Sequence, residues 1–364
     1  MTVDMARVEQ FANQVIGDIA AAEAGVLSYV GDRLGLYRAM AGAGPLTLAE
    51  LADRTTTHPR YLQEWLAAQA AGGYVTYQPG GNGGGGTFTL PDEHAAVLAD
   101  DASPVFLAGA FGMAASSWAD ADVTADALRT GAGIGWGDHD PRLYPATERF
   151  FRTGYAASLT SEWIPALDGV EDKLVRGAQV ADVGCGHGAS TTIMARAFPA
   201  SSFAGFDVHD ASIDAARTAA ATAGLSDQVR FDVATADAIP APAGGGYDLV
   251  CFFDCLHDMG DPVAAARRAC AVLAEGGTVL LVEPRAGDRL EDNLHPLGRL
   301  MYAASTQLCT PNAVAQGGET VPGGRTLGGQ AGEARLTEVL HEAGFGRVRR
   351  AAETPFTMVL EARP

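Results

Sequence analysis

The residues with the most evident chemistry lie between Val180 and Asp258. Val180-Ala181-Asp182-Val183 reads as a buried strand with an acidic end, and Gly184-Cys185-Gly186-His187-Gly188 follows as a turn. Glycines at 184, 186 and 188 let the backbone turn sharply and come close to a ligand, because a Cβ there would clash. Residues 189–198 continue as a helix whose first amides face whatever lies over the turn. A second short apolar strand, 202–206, ends in Asp207, placed to accept from two ribose hydroxyls. A third, 229–233, is followed by Asp237, where a carboxylate can hold an adenine amino group. A fourth, 247–253, empties into Asp254-Cys255-Leu256-His257-Asp258. Glycine turns of this kind also occur in nicotinamide and flavin sites, so the turn by itself indicates only a nucleotide-like ligand. His257 lies just beyond the fourth strand, at the carboxyl edge of the sheet, and an imidazole titrates in the range a general base needs.

Taken together, the order and spacing of the four strand ends resemble the class I S-adenosylmethionine-dependent methyltransferases over residues 166–364. The resemblance implies an α/β fold with a Rossmann-like seven-stranded sheet closed by a β-hairpin, and S-adenosyl-L-methionine as cofactor with S-adenosyl-L-homocysteine as product. The tail of the chain agrees: a helix at 264–273, a turn at Glu275-Gly276-Gly277, a continuous apolar strand at 278–282, a helix at 333–343 stopped by Gly344, and strands at 347–352 and 356–362. NAD-binding domains do not usually close with such a hairpin. Carried over from the family, Asp182, Gly184, Gly186, Gly188, Asp207, Val208, Asp237, Ala238, Phe253 and Asp254 are cofactor contacts, while His187 reads as a space-filler.

Leu256-His257-Asp258-Met259 is similar to the Leu-His-Asp-Trp segment of the small-molecule O-methyltransferases, whose histidine is the catalytic base; Met259 stands where that family has tryptophan. The resemblance implies His257 as base, Asp258 beside it, and Glu283 after the next strand as the carboxylate that orients the imidazole. Residues 285–330 form a long insertion, a length that usually serves function. A helix at 296–308 offers His295, Arg299, Tyr302 and Thr306 to a substrate, together with Phe151. The glycine-rich stretch 317–329 reads as a lid, and 131–140 suits a lid and a plain connection equally. O-methylation of a small, largely apolar metabolite is the favoured reading, with C- or N-methylation open. In a second reading, iron held by His257 and His295 binds an α-keto acid, Arg299 takes its carboxylate, and carbon is methylated. A third makes the chain a cofactor-binding, non-catalytic or DNA-binding regulator.

The elements before this domain form another module. Residues 10–40 give two helices, and Thr47-Leu48-Ala49-Glu50 is a capping box. A helix from Pro59 carries Leu62, Trp65, Leu66 and Ala70 on one face. Residues 72–77 and 87–90 then flank a glycine loop as a hairpin. This order predicts a mostly α winged-helix domain over 1–102, and its place before a class I domain resembles the small-molecule O-methyltransferases, which implies that it makes a homodimer. Residues 103–165, with Trp118, Trp136, Tyr144, Phe150, Phe151, Tyr155 and Trp163, are expected to connect and roof the active site. Charge argues against nucleic acid: the formal net charge is −19, and residues 1–110 hold five arginines against twelve acidic residues. Five cysteines without a CxxC pair suggest neither a disulfide framework nor a zinc knuckle, so no metal site is expected on that count. The absence of a long apolar run predicts a cytoplasmic protein without membrane partners.

Overall fold

Local capping and apolar stripes build the first of two compact units. The computed structural model describes residues 3–81, 85–320 and 324–364, and the first unit comprises residues up to Trp118 together with Arg149–Thr153. Its helices are Met5–Arg33, Leu36–Met40, Leu48–Thr55 and Pro59–Ala71. Gly35, at φ 69°, turns the chain between the first two. The capping box forms as expected: the Thr47 hydroxyl accepts the Glu50 amide at 3.3 Å, and the Glu50 carboxylate accepts the Thr47 amide at 2.8 Å. Leu62, Trp65 and Leu66 are buried against Leu36, Tyr37, Met40 and Leu51. Tyr37 and Trp65 bury their polar ends with partners, the hydroxyl donating to Gln69 Oε1 at 2.8 Å and the indole N–H to the Leu27 carbonyl at 2.9 Å. Three short strands, β1 (Leu46–Thr47), β2 (Thr76–Gln78) and β3 (Thr87–Thr89), make an antiparallel sheet with β3 in the centre. The middle of the glycine loop between β2 and β3 lies outside the described residues.

The second unit, Ala119–Glu148 with Gly154–Pro364, holds the seven-stranded sheet. Its strands are β4 (Gln179–Val183), β5 (Ser202–Asp207), β6 (Val229–Val233), β7 (Tyr247–Phe253), β8 (Leu273–Pro284), β9 (Arg347–Glu353) and β10 (Thr357–Arg363), in spatial order β6-β5-β4-β7-β8-β10-β9. β4 through β8 run parallel, and β10 pairs antiparallel with both β8 and β9. Parallel strands covered on both faces must be apolar throughout, which is why Val250, Phe252, Val279 and Leu281 read as unbroken hydrophobic runs. Helices Pro262–Val272 and Gly332–Glu342 cover one face through Ala266, Ala269, Leu336 and Leu340.

Two expectations differ from the structure. Glu275-Gly276-Gly277 does not precede the fifth strand but lies inside β8: Tyr247 pairs with Leu273 and Leu249 with Thr278, so the glycines loop out as an irregularity that pairing resumes beyond. The helix at 296–308 ends earlier, at Ala304, and passes through a π-turn, Ser305–Cys309, into a further helix, Thr310–Ala315. Of residues 103–165, those up to Trp118 and Arg149–Thr153 belong to the first unit and the rest to the second.

Candidate active site

The strand order reverses direction between β4 and β7, and ligands of open α/β sheets bind at the carboxyl ends of strands flanking such a point. There the glycine turn follows β4. Gly184 and Gly188 have φ of 72° and 75°, and a Cβ on them would lie 2.7 Å from Cys255 Sγ and 2.6 Å from the Phe231 ring. Beside Gly186 a Cβ would meet nothing within 4 Å, so that side of the turn is open. Asp207 braces the turn, its carboxylate accepting the Gly186 and His209 amides at 2.9 Å each. Asp182 is 1 % exposed and accepts from the hydroxyls of Ser190 at 2.6 Å and Thr191 at 2.5 Å, both through Oδ2. Its Oδ1 is buried without a partner, and burial pushes the carboxyl up to about 6. Val208, Asp237 and Ala238 stand exposed on the same edge of the sheet.

At the end of β7, Phe253 is buried under Tyr155, with ring centroids 5.3 Å apart, and Tyr155 donates to Asp254 Oδ2 at 3.3 Å. Asp254 adopts φ 51°, a conformation L-residues seldom take outside such functional bends. Burial, reinforced by Glu283, raises its carboxyl to about 7, and burial does the same to Asp258. The short turn Leu256–Asp258 delivers His257, 5 % exposed, against Glu283, 1 % exposed, at the end of β8. Glu283 Oε1 accepts the Leu256 and His257 amides at 3.0 and 3.3 Å, and Oε2 accepts from His257 Nδ1. One carboxylate thus fixes both the turn and the ring. Burial alone would lower the imidazole, but the charge of Glu283, with Cys309 beside the ring, outweighs it and holds His257 well above the ordinary histidine range. His257 Nε2 lies 3.3 Å from Cys309 Sγ.

The substrate candidates are less gathered. His295 is exposed and caps its helix, Nδ1 accepting the Gly298 amide at 3.1 Å. Arg299 and Thr306 are exposed, Tyr302 is half-buried, and the Thr306 hydroxyl donates to the Tyr302 carbonyl at 2.8 Å. Phe151 belongs to the first unit, edge-on to Phe150. Among the described residues no group of three or more His, Cys, Asp or Glu is arranged to hold a metal ion. Part of the 317–329 stretch expected to form a lid lies outside the described residues.

The known proteins this chain resembles bear on these strand ends. A family model described as "Methyltransferase domain" matches residues 174–344, and one described as "Rv2258c-like winged HTH domain" matches residues 22–100. The chain carries a methyltransferase domain behind a winged helix-turn-helix domain. A curated relative, the ubiquinone biosynthesis O-methyltransferase of Psychrobacter arcticus, is 31% identical over 105 residues, 29% of this chain and 40% of that protein. The chain therefore matches less than half the length of that relative. Two solved structures share the fold over nearly the whole chain. The mitomycin 7-O-methyltransferase MmcR has a TM-score of 0.67 at 20% identity, covering 99% of this chain and 100% of that one. Human N-acetylserotonin methyltransferase in complex with SAM has 0.68 at 19% identity, covering 97% of each chain.

Several residues of the methyltransferase domain escaped the sequence reading. Tyr144 stacks on His209 with centroids 4.6 Å apart, two positions past Asp207. Asn312, 6 % exposed, accepts the Trp136 amide at 3.0 Å and donates to the Asp258 carbonyl at 3.1 Å, tying the 131–140 stretch to the His257 turn. These pairs join residues more than fifty positions apart, in one case 176, and carry no local spacing signal. Only the aromatic content of 131–144 hinted at a packed segment there.

Proposed function

We propose that this protein transfers a methyl group from S-adenosylmethionine to a nucleophilic atom, preferably a hydroxyl oxygen, of a small and largely apolar metabolite. The observation that carries the reading is the buried Glu283–His257 pair standing beyond β7, beside a glycine turn whose neighbouring Asp182 keeps an unpartnered buried oxygen. The cofactor is S-adenosylmethionine, which supplies a methyl on a cationic sulfur. Asp182 Oδ1 offers an acceptor to an ammonium group, the open side of Gly186 admits a ligand against backbone, and Asp207 has lone pairs left for two ribose hydroxyls after its two amides. Gly184, Gly188, Val208, Asp237, Ala238, Phe253 and Asp254 complete the cofactor contacts. His257 acts as general base on the acceptor through Nε2, while Glu283 fixes the ring through Nδ1 and Asp258 adjoins it. Because Glu283 favours the imidazolium, the base form grows only as pH rises past the ordinary imidazole range. Arg299, Tyr302, Thr306 and His295 line the acceptor side.

A second copy of the chain covers the helix Met5–Arg33. Val8, Phe11, Val15, Ile19 and Val26 recur at three-, four- and seven-residue intervals along it and are exposed, an apolar stripe that a lone unit leaves in water.

Calorimetry with S-adenosylhomocysteine, followed by a mass-spectrometric screen for methylated products among phenols, amines and α-keto acids, tests the function. Micromolar binding with phenol methylation is expected; no binding would overturn the reading, and methylation of keto acids alone would move the acceptor atom to carbon.

A further inference from the structure

The nitrogen that a general base must turn toward its acceptor is already engaged. Cys309 closes the π-turn Ser305–Cys309, a helical irregularity of a kind that often re-aims a side chain at a functional site, and it sets Sγ 3.3 Å from His257 Nε2. Behind the ring, Nδ1 is held by Glu283. Carboxylate, imidazole and thiol therefore stand in line, the order in which a nucleophile is activated by an oriented base. The glycine segment is built around the pair: the Gly328 amide donates to the His257 carbonyl at 3.1 Å, and the Gly329 amide to Ser305 Oγ at 2.9 Å. A Cβ on Gly329 would already lie 3.5 Å from Cys309 Sγ and 3.8 Å from His257 Nε2. The other four cysteines are differently placed. Burial pushes the thiols of Cys185, Cys251, Cys255 and Cys270 up, and Cys255 donates to the Val183 carbonyl at 3.1 Å. Cys309 is partly exposed and has an imidazole for a partner.

We propose that Cys309 occupies the acceptor seat at His257 Nε2 and is a modification site for soft alkylating electrophiles, carbon centres bearing a leaving group beside a carbonyl. In the step, Cys309 Sγ forms a bond to the electrophilic carbon, the carbon–halogen bond breaks, the halide leaves with its electron pair, and the thiol proton passes to His257 Nε2. The alkylated side chain then fills the place an acceptor hydroxyl must reach, while the glycine turn and Asp207 are untouched. The attachment stands on the Glu283–His257–Cys309 geometry alone; only its consequence for methyl transfer rests on the proposed function.

The test is iodoacetamide at limiting concentration on the native full-length chain, with peptide mapping over time and S-adenosylhomocysteine calorimetry before and after. Cys309 should be carbamidomethylated at least about tenfold faster than each of the other four cysteines, and His257→Gln should slow it by a similar factor, since the thiolate is the reactive form. Affinity for S-adenosylhomocysteine should stay within about twofold after labelling. Labelling of Cys309 no faster than the buried Cys185 and Cys251 or the partly exposed Cys255 and Cys270, or at an unchanged rate in a folded His257→Gln protein, overturns the proposal; if that variant does not fold, the comparison among cysteines of the native chain decides. Full turnover of an alkylated enzyme would remove Cys309 from the acceptor seat. Failure of the unmodified chain to bind S-adenosylhomocysteine would sink the methyltransferase reading and leave the thiol result intact.

Discussion

At the residue scale, three carboxylates do three different jobs. Asp207 holds the glycine turn through the Gly186 amide and its own loop through the His209 amide, and as the proposed ribose contact its change to alanine, Asp207→Ala, should weaken S-adenosylhomocysteine at least about tenfold, or about 1.4 kcal/mol, in calorimetry. Equal affinity would show that the brace is not a contact. Glu283 holds the charge on His257. Replacing it by glutamine removes the negative charge that overcomes burial, and the His257 titration followed by NMR should move to lower pH; a midpoint that stays put would assign the upward shift to another group. Asp182 is protonated more readily folded than unfolded, because burial lifts it from 3.8 to about 6. A group with its folded value raised contributes stability that is complete below the unfolded value and lost as pH rises through the folded one. Stability should therefore fall between about pH 4 and 6 by up to about 3 kcal/mol on this account, and Asp182→Asn should flatten that part of a Tm-against-pH curve. Parallel curves for the two proteins would contradict it.

At the scale of elements, the helix Thr310–Ala315 is a tie between two segments that do not otherwise pair in sequence. Pro311 accepts the Ile134 amide at 3.0 Å, Asn312 takes the Trp136 amide, and the same side chain reaches the Asp258 carbonyl. Gly133 lies so close to this helix that a Cβ would be 2.1 Å from the Ala315 nitrogen. Asn312→Ala leaves the half-buried Trp136 amide unpaired, worth about 1–3 kcal/mol where water does not replace the partner, while the Asp258 carbonyl keeps Gln316 Nε2 at 3.3 Å. Hydrogen exchange at the Trp136 amide should accelerate at least about tenfold, with a lower Tm. Unchanged protection would mean that packing around Gly133 holds the segment without Asn312.

At the scale of the whole molecule, a winged helix-turn-helix domain precedes a methyltransferase domain, and the acidity of the first hundred residues turns the former away from a phosphate backbone. The exposed stripe on Met5–Arg33 asks instead for an apolar partner. Phe11→Glu combined with Ile19→Glu places two charges in that stripe without touching the buried Ser28, Gly31 and Asp32. Sedimentation should change from about twice the chain mass to the chain mass, while the S-adenosylhomocysteine affinity stays within about twofold. A native chain that sediments as a monomer would refute the pairing.

The sequence by itself determined where most strands lie and, through its resemblance to a known family, which strand ends carry the candidate site. Runs such as Tyr247–Phe253 and the residues after Gly277 suit buried parallel strands, a glycine turn after Asp182 suits a strand's carboxyl end, and β9 and β10 were legible as two short strands with a brief connection, whereas the spatial order of the strands was decided by the tertiary structure. It also placed His257 and Glu283 one strand apart, which puts them side by side once β7 and β8 pair. Tertiary structure decided what depends on side chains meeting across long separations. Cys309 against Nε2, Asn312 between Trp136 and Asp258, and Tyr144 on His209 follow from how helices and loops pack over the sheet, and no periodicity records that. His295 shows the converse: its residue type advertised chemistry, yet its position just before Pro296 made it a helix cap, because an unpaired amide at a helix start is the nearest donor an imidazole can find.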